Sequence, residues 1–414
     1  DLAATARRTG ATTVLIAVPS ADTRALRQLS TQAADAGLQV LVLPSIDDLF
    51  GDDVALGDIR PLAEEDLLGR GETDIDIDAI ADYLTGRTVL VTGAGGSIGS
   101  ELCRQVTRFA PANLVMLDRD ESALHGVELS ITGRATLDHR NLVVCDIRDA
   151  DRLDEVFAEH RPAVVFHAAA LKHLPLLEMH PSEAVKSNCT GTLNVLRAAT
   201  DHGVGRFVNI STDKAADPTS TLGRTKRIAE RITSHWSRDH AGTFLSVRFG
   251  NVLGSRGSVL TTFRSQVASG GPITVTHPEV TRFFMTIEEA VRLVIQAGAL
   301  DLDGHALVLD MGEPVKIDDV ARRLATTGER PIEVVYTGLR PGEKLHEQLF
   351  ADDEVGVRTQ HPLITEVPVP PLDPAGLVGL RLRVPPAEIT EQLAALLHPP
   401  PVATPAPAAI DAEV

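Results

Sequence analysis

A doubly wound α/β fold, in which helices cover both faces of a parallel sheet, is predicted by three observations. From residue 87 onward, short continuous apolar runs alternate with amphipathic stretches, the pattern of strands buried on both sides. A glycine-rich turn, Thr92-Gly93-Ala94-Gly95-Gly96-Ser97-Ile98-Gly99, joins the first of these runs to the first amphipathic stretch. A polar triplet, Thr212-Asp213-Lys214, follows a later run, at the sheet edge where such folds place their chemistry.

The elements follow in order. Residues 13–18, 22–36 and 38–43 read as strand, amphipathic helix and strand, a small Rossmann-like βαβ lobe over 1–60. Val18-Pro19-Ser20 carries no glycine fingerprint, so this lobe reads as a scaffold or regulatory unit rather than a second nucleotide site. Residues 61–86, with the run Asp74-Ile75-Asp76-Ile77-Asp78, read as a connector holding one short helix. Strands then fit 88–91, 114–117, 142–145, 163–167, 206–210 and 244–249 in a main domain spanning 87–250. Ile98, Leu102, Val106 and Phe109 mark the buried stripe of its first helix, which Pro111 stops. Residues 251–362 are richer in turns, with helices at 287–299 and 317–325, and read as a small substrate-covering lobe. Residues 363–414 form a proline-rich extension with one helix at 387–397. Its low-complexity tail from Pro399 lacks the apolar content to order itself.

Composition narrows the function classes. The 414 residues are 43% hydrophobic and 23% charged, an ordinary globular mixture with ample core. A net charge of −18 and only 3% aromatic residues argue against a nucleic-acid partner. Cys103, Cys145 and Cys189 are too few and too scattered for disulfides or a metal, and read as buried small hydrophobes. No apolar run approaches the ~18 residues of a membrane-spanning helix. The chain starts at Asp1 without a signal peptide or initiator methionine, so an upstream segment is expected.

Gly93, Gly96 and Gly99 permit a tight turn and close approach of backbone to a pyrophosphate. The helix opening at Ser97 and Ile98 favours its negative charge. Asp118, ending the next strand, can accept hydrogen bonds from both ribose hydroxyls and would repel a 2′-phosphate, which favours NAD over NADP; Arg119 pulls the other way. Asp146-Ile147 ends the third strand, where the aspartate could meet an adenine amino group or cap the helix near Asp149. Ala168, Ala169 and Ala170 are small enough to let a cofactor lie flat.

The triplet is followed by a helix expected at 222–239 that opens with Leu222-Gly223-Arg224-Thr225-Lys226. The motifs TGAGGSIGSEL, FHAAALKHLPLLE, SNCTGTLNV, ISTDKAADPTSTLGRTKR, RFGNVLGSRGSV, GGPITVTHPEVTRFFMTIEEA and GLRPGEKLHEQL cover about 88–350. Together they resemble the extended short-chain dehydrogenase/reductase superfamily. Within it they resemble the long-form (CapD-like) nucleotide-sugar 4,6-dehydratases of bacterial polysaccharide biosynthesis. The N-terminal lobe and the connector IRPLAEEDLLGR look like the region before that group's catalytic domain.

The resemblance implies a reaction. NAD oxidises the sugar at C4, the acidified C5 proton leaves, the C6 hydroxyl departs as water, and hydride returns to C6. By position, Lys214 would take the C5 proton, Asp213 would protonate the leaving hydroxyl and Thr212 would bond O4. Lys214 would then be neutral for part of the cycle, its pKa lowered from ~10.4 by desolvation and the nicotinamide charge. Lys226 would hold the nicotinamide ribose. The superfamily's YxxxK is LxxxK here, whereas a methionine commonly replaces the tyrosine in this group. Leu222 cannot accept the 4-hydroxyl proton; Asp213, Thr212 through water, and Lys226 remain open.

The same resemblance lines the sugar pocket with Asn188, Asn251, Ser258, Thr276 and His277, and puts Arg282 and Arg340 on a diphosphate. Glu343 would bind a uridine ribose or pair locally, and Lys172 and His173 would lie near the sugar. The implied substrate is UDP-N-acetylglucosamine, the product a UDP-4-keto-6-deoxy sugar. The protein is expected to be a homo-oligomer, in the cytoplasm, anchored through the upstream segment. The alternatives are a 4-epimerase, a C5-inverting dehydratase and an inactive NAD-binding scaffold.

Overall fold

The computed structural model describes residues 2–16, 29, 32–33, 36–42, 60–61, 76–134, 136–138, 140–238, 240–255, 257–325 and 332–398. Most of the helix expected at 22–36, most of the connector and the tail from Pro399 lie outside the described residues.

Helix α1 (Leu2–Thr9) precedes a small sheet of β1 (Thr13–Ile16), β2 (Gln39–Val42) and β3 (Arg60–Pro61). β1 and β2 are parallel, as a βαβ unit requires, and β3 pairs antiparallel to β2.

Helix α2 (Ile77–Leu84) leads into the main domain, whose first half alternates as expected. It comprises β4 (Thr88–Thr92), α3 (Ser97–Thr107), β5 (Asn113–Asp118), α4 (Glu121–Thr132), β6 (Leu142–Val144), α5 (Ala150–His160), β7 (Val164–His167), α6 (Leu174–Met179), α7 (Thr192–Asp201), β8 (Arg206–Ile210), α8 (Thr221–Trp236) and β9 (Thr243–Arg248). Beyond it come β10 (Asn251–Val252), α9 (Val259–Ala268), β11 (Ile273–Val275), β12 (Thr281–Arg282), β13 (Phe284–Met285), α10 (Ile287–Ala299) and β14 (His305–Leu309). The last elements are β15 (Val315–Lys316), α11 (Ile317–Ala325), β16 (Val334–Tyr336), β17 (Val357–Arg358), β18 (Ile364–Pro368) and α12 (Pro386–Leu397).

Nine strands form one sheet in the order β17-β18-β14-β9-β8-β7-β4-β5-β6. It is parallel from β14 to β6, with β18 and β17 added antiparallel at one edge. Because side chains alternate along a strand, β4 feeds two cores. Val89 and Val91 pack with Leu102 and Val106 of α3 and with Val291 and Val294 of α10. Leu90 packs on the other face with Phe157 of α5, Leu193 of α7 and Ile228 of α8. The winding reverses between β4 and β7, which opens a crevice at their carboxyl ends.

Two expected boundaries need correction, and helix α9 and strand β18 add to the expected elements. α2 belongs to the main core rather than to a connector: Ile80 and Leu84 are buried under the sheet, and the Tyr83 hydroxyl donates to the Ile295 carbonyl at 2.7 Å. The stretch from α10 to β14 also returns to the sheet, which interrupts the lobe expected over 251–362. That lobe keeps its own apolar cluster, built from Leu260 and Phe263 of the unforeseen helix α9 and Ile317, Ala321 and Leu324 of α11. The extension is structured as far as His398: Ile364 and Val367 of β18 are buried, and Ile389, Leu393 and Leu397 of α12 join the second core beside α8. Among the described residues no helix is long and apolar enough to cross a membrane.

Candidate functional site

The glycine turn is shaped by contact. Gly93 has φ +67°, and a Cβ there would sit 2.7 Å from the Ala169 backbone, so β4 and the alanine run after β7 approach as only glycine allows. The Gly96 N–H donates to the Gly93 carbonyl at 2.9 Å, and α3 begins at Gly96 with no side-chain cap. Asp118 is oriented by backbone: its Oδ2 accepts from Gly95 N at 2.9 Å and its Oδ1 from Asp120 N at 3.0 Å. Gly93, Gly96, Asp118, Asp146, Ile147, Ala168 and Ala169 line a cavity of about 140 Å³, so the predicted dinucleotide residues converge.

Asp146 is engaged more heavily than its sequence suggests. Arg148 donates to it from Nε at 3.0 Å and from a terminal nitrogen at 2.6 Å, which holds its carboxyl below the usual range. Arg119 lies 3.7 Å from the same carboxylate. It does not cap the next helix; Asp149 does, accepting from Arg152 N at 3.0 Å.

The triplet continues β8 along its neighbour: Ser211 N donates to Val247 O at 2.7 Å and Asp213 N to Phe249 O at 2.9 Å. Asp213 is 1% exposed. Its Oδ1 accepts from Thr212 Oγ1 and Lys214 Nζ, both at 2.9 Å, while its buried Oδ2 has no partner among the described residues. A Cβ at Gly250 would come within 3.2 Å of that Oδ2, so glycine keeps the space before it free.

Lys214 also donates to Asn251 Oδ1 at 3.3 Å and lies 3.7 Å from Glu347 Oε1. Burial disfavours its charge, yet Asp213 and Glu347 outweigh burial, and Arg282 offsets them only in part. The amine's pKa is therefore raised, contrary to the expected depression. Lys226 has the depressed value instead: burial lowers it to about 8 against the pull of Glu230 and Cys189, and its Nζ donates to the Ile210 carbonyl at 2.5 Å. Leu222, one turn earlier, is buried against Leu177, Ala184, Leu171 and Leu174, so an apolar contact fills the place of a phenol.

The predicted pocket residues divide. Asn251 joins the triplet. Glu343 gathers three others: its Oε1 accepts from Arg282 and from Thr276 Oγ1, both at 3.0 Å, and its Oε2 from the Arg340 N–H at 3.3 Å. Glu343 thus pairs chiefly across the lobe rather than within its own turn. Arg340 is exposed. Asn188 is 1% exposed, and its amide is spent on the Leu171 backbone (2.8 and 3.0 Å) and Thr225 Oγ1 (3.2 Å). It braces the loop after β7 and does not face the pocket as expected. Ser258 is the N-cap residue of α9, its Oγ 3.2 Å from Thr261 Oγ1, and His277 Nδ1 accepts from Glu279 N at 3.1 Å; neither bonds to the Glu343 group. Lys172 and His173 are exposed, with the His173 ring beside Gly257.

Sequence reasoning passed over Glu347, although it lies in the quoted GLRPGEKLHEQL stretch. It also missed a cluster in which Arg248 is fully buried and all five of its N–H groups are taken. Glu230 accepts at 3.1 and 2.8 Å, Glu354 at 2.7 and 3.1 Å, and the Leu349 carbonyl at 3.0 Å. Arg227 bridges the same two carboxylates, and Ser211 donates to Glu230 at 2.6 Å. An arginine closing a buried strand was the available signal, since buried charges are paired.

Comparison with known proteins bears on this geometry. The family described as "polysaccharide biosynthesis protein" matches residues 89–368. The "Capsular polysaccharide biosynthesis protein CapD" of Staphylococcus aureus is 45% identical over 348 residues, 83% of this chain; the chain spans only 58% of that relative's length. A "UDP-N-acetylglucosamine 4,6-dehydratase (inverting)" of Campylobacter jejuni is 31% identical, covering 65% of this chain and 79% of the relative. A "UDP-glucose 4-epimerase" of Rickettsia rickettsii is 32% identical with the same coverage. Among solved structures, Pen from Bacillus thuringiensis superposes with a TM-score of 0.64 at 32% identity, over 70% of this chain and 90% of that one. With its doubly wound sheet, glycine turn and polar triplet, the chain belongs to the polysaccharide biosynthesis protein family, in the CapD-like branch of the extended short-chain dehydrogenases/reductases.

Proposed function

We propose that this chain is an NAD-dependent 4,6-dehydratase of a UDP-sugar of the N-acetylglucosamine type. The observation that carries the reading is the Asp213–Lys214 pair: a carboxylate with one buried oxygen that has no partner among the described residues, beside an amine. Elimination of water needs an acid and a base side by side, whereas a 4-epimerase has no use for the pair. The Gly93 approach, the uncapped start of α3 and the pre-oriented Asp118 fit a dinucleotide, and the Asp118 carboxylate favours NAD. When bound, the nicotinamide supplies a reversible hydride acceptor.

The resting pair is Lys214 ammonium and Asp213 carboxylate. Lys214 becomes a neutral base by giving one proton to solvent, and Asp213 becomes a neutral acid by taking the 4-hydroxyl proton through Thr212, which is hydrogen-bonded to its Oδ1. Lys214 then takes the C5 proton while Asp213 protonates O6, the C6–O6 bond breaks, and water leaves with both side chains back in their starting states. Lys214 can return a proton to C5 as hydride reaches C6. Thr212, hydrogen-bonded to Asp213 Oδ1, offers the 4-hydroxyl proton a route to the same carboxylate that Leu222 lacks. Arg282 and Arg340 would hold the diphosphate, Arg282 exchanging Glu343 for phosphate oxygens.

The test is incubation with UDP-N-acetylglucosamine and analysis of the product. A 4-keto-6-deoxy sugar without net reduced cofactor is expected. A C4 epimer, or unchanged sugar with NAD bound, would refute the reading.

A further inference from the structure

Lys214 has two carboxylates, and only one comes from its own loop. Asp213 adjoins it in sequence; Glu347 reaches it from the segment after β16, which also carries Arg340 and Glu343. Glu347 is 8% exposed, and a carboxylate so enclosed is stabilised by a nearby cation. The charged groups facing the Lys214 amine are therefore Asp213 and Glu347 on the acidic side and Arg282 on the basic side, with Asn251 as a neutral acceptor. Glu343 is bound to Arg282.

Building on the dehydratase reading, we propose that Glu347 is a positioning residue that sets the pH at which Lys214 becomes a base. It holds the ammonium in place beside Asp213 and stabilises the charged form, so the amine loses its proton at a higher pH than Asp213 alone would impose. Because Glu347 follows the diphosphate-reading residues on one stretch of chain, the seating of that stretch also governs how tightly Lys214 keeps its proton. No bond to substrate is needed for this role.

The test compares wild type, Glu347→Gln and Glu347→Asp by the pH dependence of solvent deuterium entry at sugar C5. A base works when neutral, so the rate rises with pH through the Lys214 pKa. Removing a facing negative charge lowers that pKa and should move the rising limb of Glu347→Gln about one pH unit or more toward acid. Glu347→Asp should keep the limb near its wild-type position. A purely structural role would instead lower the rate by one factor at every pH, and that result would overturn the proposal.

A second readout needs no substrate. After reductive methylation with ¹³C-formaldehyde, the dimethyl-Lys214 resonance, identified by its absence in Lys214→Arg, is titrated in wild type and Glu347→Gln. A lower midpoint in Glu347→Gln supports the proposal, and equal midpoints refute it. If the midpoint falls but wild type neither exchanges C5 nor forms product, the dehydratase reading fails and the Glu347–Lys214 coupling stands.

Discussion

Two clusters of buried charge lie at the carboxyl ends of adjacent strands and differ in one respect. Around Arg248 every guanidinium N–H is matched, and two arginines face two glutamates. Around Lys214 a buried carboxylate oxygen has no partner among the described residues, and a Cβ at Gly250 would come within 3.2 Å of it. Desolvating a polar group without a bond costs free energy, so the first arrangement suits a brace and the second suits a group kept for a ligand. Both would look alike as a list of charged residues. Saturation separates them.

The largest expected effect breaks the Lys214 side of this contrast. Lys214→Ala should lower solvent deuterium entry at C5 by about 10²–10⁴-fold while NAD and UDP-sugar binding persist. Full exchange in the variant would put the base elsewhere, with Lys172 and His173 the next residues to test.

A smaller effect, on stability rather than chemistry, belongs to the brace. Glu230→Gln leaves Arg248 and Arg227 undercompensated and should destabilise the fold by about 3–5 kcal/mol in denaturant unfolding. Burial raises the Glu230 pKa, but Arg248 and Arg227 outweigh it and bring it down to about 2 from 4.5. Its stabilisation is therefore present above about pH 4.5 and is lost as pH falls toward 2. The stability gap between wild type and Glu230→Gln should narrow across that window; a pH-independent gap would argue that packing, not charge, is what the variant removes.

The smallest effect tests the apolar contact that Leu222 makes at the start of α8. Leu222→Met keeps volume and polarity, so it should cost less than about 1.5 kcal/mol and leave turnover intact. A large loss of turnover with stability unchanged would show that residue 222 shapes the sugar site directly.

Much of the site was legible because its constraints are local. The Gly93 turn is a matter of backbone angle and one close contact, and Asp118 falls at a strand end that periodicity locates. Thr212, Asp213 and Lys214 are neighbours in sequence and remain so in space. The brace was illegible for the opposite reason: Arg248 meets Glu230 from an adjacent helix and Glu354 from the segment just before β17, and no periodicity records such a meeting. The return of α10 and β14 to the sheet was hidden likewise, since a short strand in a turn-rich region reads the same whether it caps a lobe or extends a core. Asn188 was misread because its residue type suits a sugar hydroxyl as well as a backbone amide, and only packing reveals that Leu171 has claimed it.

The stretch from Glu343 to Glu354 forms no helix or strand, yet it is pinned at both ends, by Arg282 on the lobe and by Arg248 on the sheet with Arg227 of α8. Glu347 sits between Leu345, whose carbonyl accepts from Thr281 N at 3.1 Å and Arg282 at 3.2 Å, and Leu349, whose carbonyl accepts from Arg248 at 3.0 Å. Surface loops usually accept added or removed residues. Here the count of residues is itself a dimension of the candidate site: slack of one residue would let the carboxylate drift from the amine while both anchors held. Length, as much as identity, is what this segment must conserve to work.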